Sequence, residues 1–309
     1  MKNKREHKKG VGKPRAASGV RYEGVTAKKG LGQHFLANQD IAIEIVDSLL
    51  IPESGLDGSP TIEGGVNVVE IGPGTGVLTN YLLMDKRLNL QLCEIDEESI
   101  GKIKEKFPQF LYTLQQRDFL QTPLDELFPS LPHDSIKRGT NGNQVYIIGN
   151  FPYNISSQIF FKILDERERV AQVVCMLQRE VAQRLSAGAG GKDYGILSVL
   201  LQCWYDIEYL FTVNENEFVP PPKVKSGVIR LWRNTREELG CSWTLFREVV
   251  KTTFGQRRKT IRNSIKPLLA SQGLSEEKTA SVLSCKYMDL RPEQLGVEEF
   301  IELTKIIQE

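Results

Sequence analysis

The stretch Val68-Val-Glu-Ile-Gly-Pro-Gly-Thr-Gly-Val-Leu-Thr79, "VVEIGPGTGVLT", decides the fold class. It runs from an apolar strand through glycines at 72, 74 and 76 into a helical pattern. Glycine lets backbone pass close to a ligand and take positive φ where a turn needs it. By itself this is a tight strand-to-helix turn. A dinucleotide fingerprint would need its third Gly at position 77, where Val77 stands.

Strand and helix patterns alternate outward from this loop. "VNVVEI" (66–71) reads as a strand and 77–86 as a helix; "LNLQLCEI" (88–95) as a strand and 97–107 as a helix. "LYTLQQ" (111–116), "QVYIIG" (144–149) and "AQVVCML" (171–177) read as strands, with helices at 156–165 and 179–186. Near-continuous apolar strands separated by helices imply a mostly parallel sheet covered on both faces, an α/β class. "WYDIEYLF" and "SGVIRLW" read as a later strand pair around the "VPPP" corner, and 40–50 as a helix capped by Asp40. Beyond residue 236, "WTLFREVVKTTF", "KTIRNSIKPLLA" and "VEEFIELTKIIQ" have helical spacing. The expected organisation is a basic flexible arm (1–26), an α/β domain (27–236) and a small all-helical domain (237–309). Residues 52–65 read as a Pro/Gly/Ser loop, and 129–143 lie in a polar, Pro-containing stretch.

Composition excludes several classes. Five scattered Cys without a CxxC pair suit free thiols in a reducing compartment, and three scattered His (His7, His34, His133) make a metal site unexpected. No apolar run approaches the ~18 residues of a membrane span, and the N-terminus has no apolar signal core. A cytoplasmic monomer is expected. The net charge of +1 conceals an asymmetry: residues 1–29 hold ten Lys and Arg against two Glu, leaving about −7 on the rest. Such an arm suits contact with phosphate, or merely solubility.

Three acidic residues sit at strand ends. Glu70 precedes the glycines, and the loop resembles the cofactor loop of class I methyltransferases. Glu94 follows Gly72 by 22 positions, where doubly wound folds hold a ribose, which suits NAD and S-adenosylmethionine equally. Asp96 reads as a helix cap. Asp118, in "QRDF", suits either an adenine amino group or a turn.

The fourth strand ends Gly149-Asn-Phe-Pro-Tyr-Asn154, "GNFPYN". A turn needs only the Pro. A reaction at an aromatic amine, whose lone pair is delocalised into its ring, needs acceptors on the amine N–H groups. The Asn150 side-chain oxygen and the Phe151 carbonyl, held before Pro152, can serve, while Tyr153 offers a stacking face for a flipped base.

The tetrad resembles the N/D-P-P-Y/F signature of nucleic-acid amino-methyltransferases. "KKGLGQHFL" (28–36), "CEID" (93–96), "GNFPYNISSQI" (149–159), "MLQREVAQRL" (176–185), "YGILSVLLQ" (194–202), "FVPPPKVKSGVIRL" (218–231) and "FGQRRKTIRNSI" (254–265) extend the likeness in order. The chain resembles the small-subunit rRNA adenine N6,N6-dimethyltransferase family, bacterial KsgA type. That resemblance implies a Rossmann-like methyltransferase domain using S-adenosyl-L-methionine. It implies dimethylation of two adjacent adenosines in the 3′-terminal hairpin of 16S rRNA within the small ribosomal subunit, and a place in subunit biogenesis. It places His34 and Leu36 in a motif capping the cofactor pocket, Gly72 at the methionine end of the cofactor, with Glu70, Gly74 and Gly76 in the same loop. Glu94 falls at the ribose, Asp118 at the adenine, and Asn150 between cofactor and amine. Phe218 corresponds to the second aromatic of a base clamp opposite Tyr153; a core Phe is the plainer reading. Two positions depart from the family: His34 stands where Asn is usual, and Phe151 where Leu is commoner.

Lys223, Lys225, Arg257, Arg258, Lys259, Arg262 and Lys266 are candidate phosphate contacts, the last five read as one helical stretch. Two related functions compete: a 23S rRNA adenine methyltransferase of the macrolide-resistance type, and a non-catalytic RNA-binding assembly factor on the same fold. A dehydrogenase lacks a well-placed proton donor.

Overall fold

The computed structural model describes residues 19–51, 65–129 and 144–309. Most of the expected N-terminal arm, the Pro/Gly/Ser loop at 52–64 and the polar stretch at 130–143 lie outside these residues.

The centre is a seven-stranded sheet: β1 (Val66–Ile71), β2 (Leu88–Glu94), β3 (Leu114–Gln116), β4 (Val145–Asn150), β5 (Val170–Gln178), β6 (Tyr205–Val213) and β7 (Ser226–Arg233). Their spatial order is β3-β2-β1-β4-β5-β7-β6. The first five strands are parallel. β7 runs antiparallel between β5 and β6. Every residue of β1 is buried, as a strand covered on both faces requires, whereas the edge strand β6 is half-exposed along its length.

The chain builds outward from β1 through β2 to β3, then returns to lay β4 on β1's other side. The loops leaving β1 and β4 therefore diverge at a topological switch point, where open α/β sheets bind ligands. The two strand ends approach closely: a side chain on Gly149 would sit 2.6 Å from the Ile71 carbonyl.

Helices α1 (Gln39–Asp47), α2 (Thr79–Leu82), α3 (Glu97–Lys106), α4 (Leu124–Leu127), α5 (Ser156–Asp165), α6 (Arg179–Ser186) and α7 (Ile196–Gln202) flank the sheet. Asn38, not Asp40, caps α1. The helix expected at 77–86 shrinks to α2, because the glycine turn extends through residue 78. A 3-10 helix (Pro108–Thr113) takes most of the strand expected from 111. The apolar run "ILSVLLQ" has no amphipathic period. It is α7, packed against α5, α6 and the C-terminal helices.

The C-terminal part contains α8 (Trp243–Phe254), α9 (Ile261–Ser264), α10 (Lys266–Ser271), α11 (Glu276–Leu283) and α12 (Val297–Gln308). The single helix expected across "KTIRNSIKPLLA" is split: Pro267 cannot continue α9 and instead sits in the first turn of α10. These helices do not form a separate bead. Phe246, Val250, Phe254, Phe300 and Leu303 belong to the same apolar cluster as Ile159 and Phe160 of α5 and Val173 and Cys175 of β5.

The arm boundary at residue 26 also moves. Residues 19–26 do not trail freely, because Arg21–Tyr22 and Val25–Thr26 pair as a ribbon. Val25 is only 1% exposed, and the Thr26 amide donates to Glu98 at 2.8 Å. Lys28 pairs with Asp96, the residue that caps α3.

Candidate active site

A cavity of about 270 Å³ opens at the switch point. Its wall brings together His34, Leu36, Glu70, Gly72, Gly74, Glu94, Asp118 and Asn150–Tyr153. Of the expected central residues, Gly76 and Phe218 fall outside it.

The glycine loop sets its floor. Gly72, Gly74 and Gly76 have φ of 65°, 57° and 82°, left-handed values that side chains resist. Their surroundings differ. A Cβ on Gly76 would lie 2.7 Å from the Phe107 ring, so this glycine serves packing of the loop on α3. A Cβ on Gly72 would meet nothing within 4 Å. The backbone there borders open space, as a cradle for a ligand requires.

Glu94 closes one side. Its Oε1 accepts from the Ile95 and Asp96 amides, both at 2.8 Å, and its Oε2 from the Gly74 amide at 3.2 Å. Burial pushes its carboxyl up, and these three amides oppose the rise. A carboxylate offers about four lone-pair positions, so Oε2 keeps room for one further donor. Glu94 can thus accept from one hydroxyl beyond its internal bonds.

Glu70 has a bracing position. Its Oε2 accepts from the Thr79 hydroxyl at 2.6 Å, tying the end of β1 to the first residue of α2. Burial pushes the Glu70 carboxyl up to about 8; the Thr79 bond opposes the rise and the nearby Glu94 charge adds to it. The folded chain therefore keeps a proton on Glu70 at neutral pH, while the unfolded chain loses it near the ordinary 4.5. Between these values the folded state binds more protons, so this group's contribution falls as pH rises from about 4.5 to about 8. Glu70→Gln mimics the protonated acid. Its Tm relative to the parent is expected to be near zero at pH 4.5 and to grow by several degrees toward pH 8, on the order of 2 kcal/mol. Thermal unfolding across that range measures it; a difference independent of pH would contradict the assignment.

Asp118 uses Oδ1 to accept from the Leu120 amide at 2.9 Å, a turn role. Among the described residues no hydrogen bond reaches its Oδ2. Sequence reasoning missed Ile95, which lies between two acidic residues and is 52% exposed on the cavity wall. An exposed Ile directly after the strand-end carboxylate was the available signal. It offers an apolar face to a flat ring.

The opposite wall is the Asn150–Asn154 turn. Asn150 Nδ2 donates to the His34 carbonyl at 2.9 Å. A carbonyl only accepts, so this bond settles which end of the amide is which. Oδ1 is left as an acceptor with no protein donor among the described residues. The Phe151 ring is 1% exposed and packs on Phe160, so it fills core and leaves the chemistry to the main chain. The Phe151 amide donates to the Met176 carbonyl at 2.9 Å, which fixes the turn on β5. Asn154 Nδ2 donates to the Gly30 carbonyl at 3.1 Å, which ties the turn to the N-terminal segment.

The Tyr153 hydroxyl bonds the Ser226 hydroxyl, and burial pushes the phenol pKa up. Ser226 is fully buried at the start of β7 and was not anticipated as part of the site. The Tyr153 ring stacks on His34, with centroids 5.5 Å apart and planes 29° apart.

Phe218 stands elsewhere than a base clamp requires. It is 2% exposed and pairs with Leu36 in a two-stranded ribbon. It packs in the cluster that holds Met176, Val213 and Val228. The core reading of this residue is the one the structure has.

The basic residues divide. Arg257 donates to the Gly191 carbonyl at 3.0 Å, and Arg262 reaches Asp289 and the Leu283 carbonyl. Both are engaged in holding the C-terminal helices and their neighbouring loop. Arg258 and Lys259 are exposed, and among the described residues they form no ion pair. The row is not one helix, since residues 255–259 turn between α8 and α9. Lys223 is exposed and Lys225 half-exposed on the loop leading to Ser226. Among the described residues no cluster of three or more His, Cys, Asp or Glu could hold a metal, and no helix is long and apolar enough to cross a membrane.

Comparison with known proteins adds the chemistry's family. A family model described as ribosomal RNA adenine dimethylase matches residues 24–307. Ribosomal RNA small subunit methyltransferase A of Parabacteroides distasonis is 49% identical over 284 residues, covering 92% of this chain and 95% of that protein. The protein of the same name from Porphyromonas gingivalis is 49% identical over 286 residues, covering 92% and 99%. Among solved structures, a dimethyladenosine transferase from Plasmodium falciparum superposes with a TM-score of 0.68 at 22% identity, covering 87% of this chain and 96% of that one. The 23S rRNA methyltransferase ErmE superposes with 0.58 at 20% identity, covering 89% and 100%, and at that identity both speak to the fold alone. With the family model spanning nearly the whole described chain, this protein belongs to the ribosomal RNA adenine dimethylase family.

Proposed function

We propose that this chain transfers methyl groups from S-adenosylmethionine to N6 of two adjacent adenosines in the 3′-terminal hairpin of small-subunit rRNA, two on each base. The observation that carries the reading is the fixed Asn150 amide. Its nitrogen is held by the His34 carbonyl and its oxygen is left as an acceptor on the wall of the cavity that Gly72 also lines.

The residues fit the cofactor. Gly72 and Gly74 would lie along its methionine end, Glu94 would accept from a ribose hydroxyl, and Asp118 Oδ2 would accept from the adenine amine. Ile95 would cover the adenine ring, and His34 and Leu36 would close the N-terminal side. When bound, S-adenosylmethionine supplies an electrophilic methyl on a sulfonium, so the chain needs no strong base.

The chain's own task is to make a poor nucleophile competent and to aim it. Asn150 Oδ1 accepts one N–H of the target amine, and the Phe151 carbonyl accepts the other. Two acceptors favour pyramidal nitrogen and return the lone pair from the adenine ring. Pro152 restricts Phe151 to extended backbone, which holds that carbonyl in place. Tyr153 stacks the flipped base, and Ser226 fixes the Tyr153 ring. Lys223, Lys225, Arg258 and Lys259 supply sequence-independent phosphate contacts, and target choice comes from RNA shape and unstacked loop bases.

The test is incubation with labelled S-adenosylmethionine and unmethylated small subunits, large subunits or free RNA. Label is expected on the small subunit. Label confined to large-subunit RNA would favour the macrolide-resistance reading, and no label on any RNA would favour a non-catalytic factor. The names of the two relatives at 49% identity support the small-subunit target.

A further inference from the structure

We propose that the N-terminal ribbon, Arg21–Thr26, is a strap that sets both cofactor loops at once, with Lys28 and Lys106 as the positioning residues that carry its hold. The proposal deepens the cofactor reading above and rests on it. Residues 21–23 precede the stretch that the family model matches, which starts at 24, so the strap's first strand lies outside that match.

Two separate anchors fasten the strap. One reaches the glycine loop. Lys106, in the last turn of α3, donates to the Thr75 carbonyl at 3.0 Å and to the Glu23 carboxylate at 2.6 Å. Thr75 stands between Gly74 and Gly76, so the ribbon's turn and the glycine loop share one ammonium group. The Tyr22 ring stacks on the Phe35 ring, with centroids 6.2 Å apart and planes 20° apart. Phe35 in turn lies 3.1 Å from where a Cβ on Gly74 would be, so it packs directly on that glycine. The other anchor reaches the strand-end carboxylate. Lys28 pairs with the buried Asp96 and lies 3.6 Å from Glu98, while the Thr26 amide donates to Glu98 at 2.8 Å. Asp96 Oδ2 accepts from the Ser99 amide and hydroxyl, and its Oδ1 faces Lys28. The Asp96 amide is one of the three that hold Glu94. A buried carboxylate that loses its cation is strongly destabilising, so Lys28 keeps this loop in place. Lys28 and Lys106 stand outside the cavity wall and act on it through Asp96 and Thr75, which adjoin Glu94 and Gly74.

The probe is S-adenosylhomocysteine, which cannot donate a methyl, titrated by calorimetry onto the full chain without RNA. Lys28→Met is expected to raise its Kd about tenfold, a coupling of ordinary size between two sites. Lys28→Arg keeps the charge and is expected to restore most of the affinity. Glu23→Gln is expected to raise Kd about threefold, as a partly exposed ion pair allows. In a Lys106→Met background the same change is expected to have no further effect, because Glu23 acts on the loop only through that ammonium group. Thermal unfolding of the same variants separates a merely structural role, which would lower Tm and leave Kd where it was. An unchanged Kd in Lys28→Met, or losses in Glu23→Gln and Lys106→Met that add, would overturn the proposal. If Lys28→Met does not fold, the Glu23→Gln and Lys106→Met cycle decides alone. A parent protein that binds no S-adenosylhomocysteine overturns the cofactor reading; a parent that binds it, with variants that bind it equally well, overturns the strap alone.

Discussion

Asn150→Ala is expected to slow methyl transfer by about 10²–10³-fold while RNA affinity stays within about twofold. The argument is local. Asn150 ends β4, opposite Met176 of β5, and its amide is oriented by one bond to the His34 carbonyl. Alanine keeps the backbone and the turn, so the fold and the phosphate contacts persist. What disappears is the oxygen that accepts from the target amine, a group whose value lies in the transition state. Single-turnover transfer on small subunits, with binding followed separately, measures both quantities. An alanine variant of full activity would show that the amine is activated in some other way.

Tyr153→Ala is expected to lower kcat/KM by about 10²-fold, and Tyr153→Phe by no more than a few-fold. A base–aromatic stack contributes about 1–3 kcal/mol, and the truncation also leaves the buried Ser226 hydroxyl without its partner. The Phe variant separates these effects. It keeps the stacking face and loses only the hydroxyl, so its deficit should appear in stability, at about 1 kcal/mol. Thermal unfolding and steady-state kinetics on the two variants decide the matter. Equal kinetic losses would mean that the hydroxyl, and not the ring face, is what the reaction uses.

The sheet was legible because its central strands β1, β4 and β5 are near-continuously apolar and buried. The glycines at 72, 74 and 76 and the carboxylate at 94 fall at loop positions that backbone geometry dictates, and the structure puts them there. Other features depend on neighbours that no local pattern encodes. α7 has no helical period because it is buried all round. The basic row near Arg257 looked like a solvated helical face, but Gly255 ends α8 and two of its arginines are drawn onto Gly191, Leu283 and Asp289. Phe218 lies in a motif that suggested an open aromatic. Its pairing with Leu36 turns the ring into the core, and the ring that does meet Tyr153 comes from residue 34, more than a hundred positions away in sequence. Ser226 was hidden for the same reason: only the folded β7 brings its hydroxyl to Tyr153. The C-terminal helices share one apolar cluster with α5 and β5, a contact that a change in composition does not reveal.

The most direct measurement is mass-spectrometric mapping of small-subunit rRNA after reaction with this protein and S-adenosylmethionine. The expected product is N6,N6-dimethyladenosine at two adjacent positions of the 3′-terminal hairpin, present with the parent protein and lost with Asn150→Ala. Methylation at any atom other than adenine N6, or product formed equally by the Asn150→Ala variant, would contradict it.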